Sequence, residues 1–502
     1  MSSTVTTPEP DQPCEEDKYL HVTFNPELYL QRQQWILEVL RANRVSSVLD
    51  IGCGGGALLS CLLEPAQTTD TEPLETEPAL NIHLDLHLKE VAGIDVCLES
   101  LVSASQHLLS PSRLENSSEK REPWQPAHFR WESLTAKLWH GSLDSFNPEF
   151  VYDARTGTGY EAIVAQEVIE HLVPEVLDKF APVLLGLYRP QFLLVTTPAY
   201  DFNARFTAPG IEDPRAFLDP TNRTERRFRH DDHKLEFTRA EFHDYCVAAA
   251  HRFGYTVTIE HVGLPQEQDP YADLRDVGAA TQCALFVLSN LPLLPAPIPT
   301  LPTPPTLHCD RFFPAHPSLP LESAEILGLI GEGLTLLKGD SADLHTLWYF
   351  AEGVSVACAG SLSRLVGAVR GEPDNWELTP AASSRWWDAI VRWKAFVPLS
   401  IDDDLAAPRP SDWENDSTAS WTMSDPPAWS DAEEPSADPA IDDPPPTDSA
   451  TTGPGSGWDD EPMSGDHGSS WPATIFTADP AYPANASSGG DWSTSDLEPV
   501  RA

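Results

Sequence analysis

The sequence lacks any sign of a disulfide frame. Its eight cysteines, at positions 14, 53, 61, 97, 246, 283, 309 and 358, form no C-x-x-C pair and keep no regular spacing. That pattern reads as reduced core or loop thiols in an intracellular protein. Long apolar runs are missing too: none reaches the ~18 residues of a membrane span. The first twenty residues have neither the basic nor the apolar region of an export leader. The expectation is a soluble protein, cytosolic or nuclear, with no membrane partner. Positive charge is scarce, with 32 Lys+Arg against 77 Asp+Glu and a formal net charge of −45. Broad, non-specific affinity for a nucleic-acid backbone is thereby disfavoured. Any polyanionic partner must be held by a local basic patch.

Proline and acid, by contrast, are abundant and unevenly placed. From Ile401 onward 22 Asp+Glu face 2 Lys+Arg, about half of the chain's net charge in one fifth of its length. Residues 401–502 are also rich in Pro, Ser and Thr, a composition that cannot bury a core, so a disordered tail is expected. Residues 1–20 read as a loose arm and 291–320, with "LPLLPAPIPTLPTPPT", as an extended linker. Helical periodicity in "SAEILGLIGEGLTLLKG" and the segments after it suggests a small helical appendage over 321–400.

Between these, residues 21–290 alternate short β-like runs with helical ones. "SVLDIG", "VAGIDV", "YEAIVAQ", "FLLVTTP", "YTVTIEHVG" and "CALFVLSN" are the strand candidates. Such alternation implies an α/β fold with a mostly parallel sheet and helices on both faces. The last two runs are too close for an intervening helix and predict one antiparallel edge strand. Polar stretches near 64–80 and 108–127 read as surface loop insertions.

"VLDIGCGGG" places Asp50, Gly52, Gly54 and Gly56 at a strand-to-helix turn. Glycines there let the backbone approach a ligand, and the next helix offers free N–H groups. Asp95 closes the following β-run, where a carboxylate can accept both hydroxyls of a ribose. A nucleotide-like cofactor fits, either a nicotinamide dinucleotide or S-adenosylmethionine. The acid two residues before the first glycine resembles motif I of the class I S-adenosylmethionine-dependent methyltransferases, and "YEAIVAQEVIEHL" resembles their fourth strand. The cofactor set is Asp50, Gly52, Gly54, Gly56, Asp95 and Ser142, and the fold expected is the Rossmann-like class I methyltransferase sheet.

"QEVIEHL" (166–172) raises a separate question. On a helix, Glu167, Glu170 and His171 would share one face. Three ligands make half a metal cage; the alternative is a solvated helix face. "RRFRHDDHKLEFTRAEFHDY" (226–245) offers the other half in His230, Asp231, Asp232, His233 or His243. Two carboxylates and two imidazoles suit Mg²⁺ or Mn²⁺, with zinc also compatible.

Several stretches together resemble the small-RNA 3′-terminal 2′-O-methyltransferases, the HUA-enhancer (Hen) family. "FNPELYLQRQQWI" is similar to that family's leading F-x-P-P-L-x-x-Q-R segment, "DIGCGGG" to its cofactor loop, and "QEVIEHL" to its E-x-x-E-H motif. "TTPAYDFN" and "DDHKLEFTRAEF" are similar to its S-T-P-N-x-E-F-N and D-H-x-F-E-W-T-R-x-E-F segments. Order and separations agree over the α/β region. Glu27 replaces the family's second proline, and Leu235 and Phe237 stand where aromatic residues are common. The resemblance makes Glu167, Glu170, His171 and His233 the ligands of a divalent cation and the catalytic set. It implies methyl transfer from S-adenosylmethionine to the 2′-hydroxyl of the 3′-terminal nucleotide of a small single-stranded RNA. Only a terminal ribose has a free 3′-hydroxyl beside its 2′-hydroxyl, which explains selection of an RNA end. Arg32 matches the family's terminal-nucleotide arginine, and Pro26 lies in the same RNA-contacting segment. "RTERRFRH", with Arg226, Arg227 and Arg229, is the one dense basic run and a natural seat for the last phosphates. Tryptophans recurring through the acidic tail resemble the hooks that Argonaute/Piwi-type proteins accept; a purely solubilising tail is the other reading. Two rival functions stand beside the RNA-end enzyme. One is a methyltransferase of a small hydroxylated molecule; the other is a non-catalytic scaffold.

Overall fold

In a computed structural model of the chain we describe residues 19–71, 85–108, 129–289, 304–351, 353–380 and 386–397. Each of the six apolar runs falls largely within a strand. In chain order the α/β region comprises α1 (Leu28–Ala42), β1 (Ser47–Ile51), α2 (Ala57–Leu62), β2 (Glu90–Asp95), α3 (Leu98–His107) and β3 (Leu134–His140). It continues with β4 (Ala162–Gln166), α4 (Pro174–Ala181), β5 (Phe192–Pro198), the two-residue strands β6 (Phe217–Leu218) and β7 (Arg227–Phe228), α5 (Arg239–Phe253), β8 (Tyr255–Val262) and β9 (Thr281–Leu288). A further strand, β10, spans Thr306–Phe313.

The main sheet has eight strands in the order β10-β3-β2-β1-β4-β5-β9-β8. Strands β1 to β5 run parallel. Strand β9 is antiparallel to both β5 and β8. Strand β9 is thus inserted one place in from its edge, with β8 outside it, and β10 runs antiparallel at the opposite edge. Every residue of β1 and of β5 is buried, as expected of central parallel strands covered on both faces. Period-two alternation sorts their side chains: Leu49 and Ile51 join the core beneath α4 and α5, with Phe180, Phe242 and Phe253. Val48 faces the other core, with Trp35, Ile36 and Leu40 of α1 and Leu58 and Leu62 of α2.

Two expectations need correction. The range 291–320 is not all linker, because Thr306–Phe313 pairs antiparallel with β3 and closes that side of the sheet. Its backbone satisfies β3, while most of its side chains are exposed, so no apolar alternation marks it. Nor is the appendage purely helical. Helices Ser323–Leu336 and Leu362–Gly371 and two shorter ones are joined by β11 (Ser341–Asp343), β12 (Trp376–Thr379) and β13 (Ile390–Trp393). These form an antiparallel sheet, β11-β13-β12, on which Trp376 and Trp393 stack with ring centroids 5.5 Å apart. The stretch "SSRWWDAIVRWKAF", expected as helix, supplies β13 because its β-branched and aromatic residues fit a pleated, half-buried surface.

The chain divides into two units at Ala407/Pro408, and the second, like residues 1–18 and the cores of both loop insertions, lies outside the described residues. Among the described residues no helix is long and apolar enough to cross a membrane.

Candidate functional site

Parallel strands deliver their C-terminal loops to one edge of the sheet, and the candidate residues gather there. After β1 the chain must turn sharply into α2. Gly52, Gly54 and Gly56 take positive φ angles of 69°, 50° and 87°. A side chain at Gly52 would meet Val168 Cγ2 at 2.7 Å, and one at Gly56 would meet Leu108 Cδ1 at 2.3 Å. At Gly54 it would meet nothing within 4 Å. The loop is therefore packed at its two ends and open in the middle, a cradle shaped for a ligand's backbone contact. Asp95 accepts hydrogen bonds from Gly54 N–H at 2.8 Å and Cys97 N–H at 2.7 Å, and each of its oxygens keeps a second lone pair. Asp50 is buried below the loop; burial, and secondarily the charge of Asp95, push its carboxyl up to about 8. Ser142 follows β3 and caps its own turn, its carbonyl accepting from Ser145 N–H at 3.0 Å. These groups fit a cofactor bearing a ribose and a cationic end.

The stretch 166–172 is not the α-helix expected. Gln166 ends β4, Glu167 takes a left-handed φ of 54°, and Ile169–His171 make a single 3₁₀ turn. Glu167 N–H is held by Thr196 on β5, donating to its carbonyl at 3.0 Å, which keeps the residue out of helical geometry. The loop bearing His233 is tied to this turn through main chain. Lys234 and Leu235 N–H both donate to the Glu170 carbonyl, at 2.6 and 3.0 Å. Gln282 on β9 braces the same loop, its amide donating to Phe237 O at 3.0 Å and Pro198 O at 3.2 Å.

Glu170, His171 and His233 thereby converge, each offering a ligand atom within 4.8 Å of the others. Their rings and carboxylate are not alike in environment. Glu170 is buried and receives the Thr197 hydroxyl at 3.0 Å. Burial, then the nearby Glu167 charge, drive its acid well above the usual carboxylate range. Burial also lowers His171, against the opposing pull of Asp232. The His171 and His233 rings meet edge to face, with centroids 5.0 Å apart. An acid held in a buried spot beside another acid and two imidazoles is a donor set that suits a divalent cation.

The structure does not bring Glu167 into that trio. Its carboxylate is paired with Arg32 Nη2 at 2.9 Å and accepts the Thr196 hydroxyl at 2.9 Å. Arg32 Nε also donates to Thr281 Oγ1 at 3.1 Å, so this guanidinium lies beside the site in a firm setting. Pro26 follows a cis peptide bond, and its carbonyl accepts from Gln31 Nε2 at 2.7 Å. His230 forms an adjoining exposed group with Asp231 and Asp232, the last of which also faces His171. His243 lies on exposed α5 surface next to Asp244.

The basic run is largely engaged within the protein. Arg226 forks onto Glu241 at 2.7 and 2.8 Å and lies over the Tyr200 ring, 4.8 Å from its centroid. Arg227 donates to Ala216 O at 3.1 Å, and Arg229 to Ala280 O at 3.5 Å. Arg223 donates to Lys234 O at 3.0 Å. Much of this charge therefore buttresses the His233 loop. Reading by residue type missed Glu236, which is fully buried and hydrogen-bonded to His233 Nδ1 at 2.7 Å. It also missed Thr196 and Thr197. The acid three positions after the histidine in "DHKLEF" was the available signal.

No protein-family model matches the chain. Among curated proteins it is 29% identical over 266 residues to the Small RNA 2′-O-methyltransferase of Xenopus tropicalis, covering 52% of this chain and 55% of that protein. It is 29% identical over 272 residues to the one from Schizosaccharomyces pombe, covering 53% and 61%. With the Arabidopsis thaliana protein the figures are 27% over 266 residues, 52% of this chain and 23% of that one. A solved methyltransferase domain, bacterial-CtHen1-CN, is 27% identical with a TM-score of 0.34, covering 52% of this chain and 100% of that domain. The chain spans about half the length of the frog relative, and under a quarter of the plant one.

Sheet order, open glycine cradle and the acid ending β2 define the class of fold: the Rossmann-like sheet of the class I methyltransferases. Over the α/β region the chain is similar to the small RNA 2′-O-methyltransferases, at 27–29% identity across about half of its length.

Proposed function

We propose that this protein transfers methyl from S-adenosylmethionine to the 2′-hydroxyl of the 3′-terminal nucleotide of a small single-stranded RNA. The observation that supports it most is the gathering of Glu170, His171 and His233 beside the glycine cradle. Val168 links the two: it packs against Gly52 on one side and belongs to the ligand-bearing turn on the other. On this reading methyl donor and cation are neighbours.

The residues proposed to hold the cation are Glu170, His171 and His233, which converge, and Glu167, whose carboxylate must first leave Arg32, with Mg²⁺ or Mn²⁺ as the ion. A divalent cation bound there supplies Lewis acidity, which makes a sugar hydroxyl a better nucleophile at neutral pH. The protein's own groups do the rest. Asp95 and the Gly54 region are proposed to seat the donor, and Arg32, next to Glu167, to meet the terminal nucleotide.

Labelled S-adenosylmethionine offered with short RNAs tests this reading. Label is expected in RNA ending in 2′,3′-hydroxyls and not in the same RNA with a 3′-phosphate. The double substitution Glu167→Ala with Glu170→Ala is expected to abolish transfer. A wild-type rate in that variant would remove the cation mechanism. Equal labelling of a small hydroxylated molecule would favour the small-molecule reading. The tail's tryptophans are proposed to dock on an Argonaute/Piwi-type partner; a pull-down unaffected by deleting 401–502 would reject that.

A further inference from the structure

A carboxylate buried without exposed surface needs a reason to stay charged, and Glu236 has one. Its Oε1 accepts from His233 Nδ1 at 2.7 Å and from Arg229 N–H at 2.9 Å, while Oε2 accepts from the Asn203 side-chain amide. Three separate segments therefore converge on one side chain: the turn after β5, the end of β7 and the His233 loop. A carboxylate can only accept, so the His233 nitrogen facing it must be the one bearing hydrogen. Nε2 is left as the nitrogen with a lone pair to offer. His171 is arranged similarly but more loosely. Its Nδ1 faces Asp232 Oδ2 at 3.3 Å, and Asp232 is over half exposed and shared with His230.

We infer that Glu236 is a positioning residue: it fixes the tautomer and ring orientation of His233, so that Nε2 presents its lone pair beside Glu170 and His171. This rests on the reading of those residues as a cation site. Ligating imidazoles generally donate their second N–H to a fixed acceptor, and losing that acceptor typically costs 10–100-fold in metal affinity. The role is distinct from binding the ion, because Glu236 is not among the residues whose ligand atoms converge. Asn203 Oδ1 is buried with no hydrogen-bond partner. A glutamine at 236 could therefore keep its oxygen toward His233 while its amide nitrogen donates to a flipped Asn203. Alanine would leave all three donors unanswered.

The test uses the full chain with two measurements. The first is Mn²⁺ affinity by calorimetry on wild type, Glu236→Ala, Glu236→Gln and His233→Ala, with S-adenosylmethionine affinity as the check on folding. The second is the nitrogen chemical shifts of ¹⁵N-histidine-labelled, metal-free protein, His233 being assigned by its loss in His233→Ala. We expect Glu236→Ala to weaken Mn²⁺ by about 10–100-fold with cofactor affinity unchanged. Glu236→Gln should recover most of that loss. Wild type should show one neutral tautomer at His233, protonated on Nδ1, and Glu236→Ala a mixture. Unchanged Mn²⁺ affinity in Glu236→Ala, while His233→Ala loses it, overturns the inference and spares the cation site. Absence of Mn²⁺ binding by wild type overturns the cation reading, and the tautomer signal then decides the role of Glu236 alone. Should Glu236→Ala fail to fold, a mixed tautomer in wild type, or a tautomer unlike wild type in Glu236→Gln, overturns it.

Discussion

Asp50 lies 3% exposed beneath the glycine loop, with a carboxyl raised from its ordinary 3.8 to about 8, first by burial and then by Asp95. The unfolded chain releases this proton near the ordinary value, whereas the cofactor-free folded protein keeps it up to about 8. Between those limits the folded state binds more protons than the unfolded one. The contribution of Asp50 to stability is therefore present at low pH and falls as pH rises through roughly 4 to 8. Glu170 acts in the same sense, so the difference between proteins isolates Asp50. Asp50→Asn should melt at a higher temperature than wild type at pH 8, with the gap closing toward pH 4. Melting curves of the cofactor-free proteins across that range check it, and a gap that does not vary with pH would refute it. A buried acid that weakens the empty fold is consistent with a residue kept for a cationic ligand, not for packing.

At the scale of elements, α5 shows how the ligand loop is stabilised. Thr238 caps the helix by accepting from Glu241 N–H at 3.2 Å, and Glu241 returns a bond to Thr238 N–H at 2.9 Å. Arg226 then forks onto the same Glu241, coupling the helix start to β7. Thr238→Ala should cost about 1 kcal/mol in chemical denaturation, the usual worth of such a cap. A change under a few tenths would show the Arg226–Glu241 fork sufficing alone. Strands such as β1 and β5 were legible in advance because their signal is local: "SVLDIG" and "FLLVTTP" are short, mainly apolar runs with β-branched residues. β3, "LTAKLWH", escaped notice because Thr135 and Lys137 interrupt it; Lys137 is there to pair with Glu90 at 2.9 Å. β10 escaped because its pairing is main-chain work done by a strand of mixed charge. The metal motif was legible in residue type but not in shape. No local pattern says that Glu167 turns left-handed, since that is imposed by Thr196 on the neighbouring strand. Glu236 was hidden for the same reason: its importance lies in three partners that only the fold brings together.

The appendage at 323–397 is attached to the α/β region by more than chain continuity. Asp70, in the described part of the first insertion, reaches across to the start of the helix Leu362–Gly371. It accepts from Leu362 N–H at 2.6 Å, Ser363 N–H at 3.3 Å and the Ser361 hydroxyl at 3.1 Å. Ser361 itself makes no side-chain cap, so the helix borrows its N-terminal acceptor from a residue distant in sequence. Close by, the indoles of Trp131 and Trp348 both donate to Gln67 O, at 3.1 and 3.2 Å, and Thr69 N–H donates to Gly360 O at 2.8 Å. An insertion that looked like a surface loop is thus the seat of the appendage. Asp70→Ala removes a charged acceptor from free helix N–H groups, at a cost of roughly 1.5–3 kcal/mol. The loss should be local, because the sheet beneath keeps its own two cores. Amide hydrogen exchange is therefore expected to quicken across 361–371 while residues of β1, β4 and β5 stay protected, with S-adenosylmethionine affinity unchanged. Uniform quickening of the whole protein would instead make the appendage a cooperative part of the methyltransferase fold. Unaltered exchange over 361–371 would mean the indole pair at Gln67 holds the junction without Asp70.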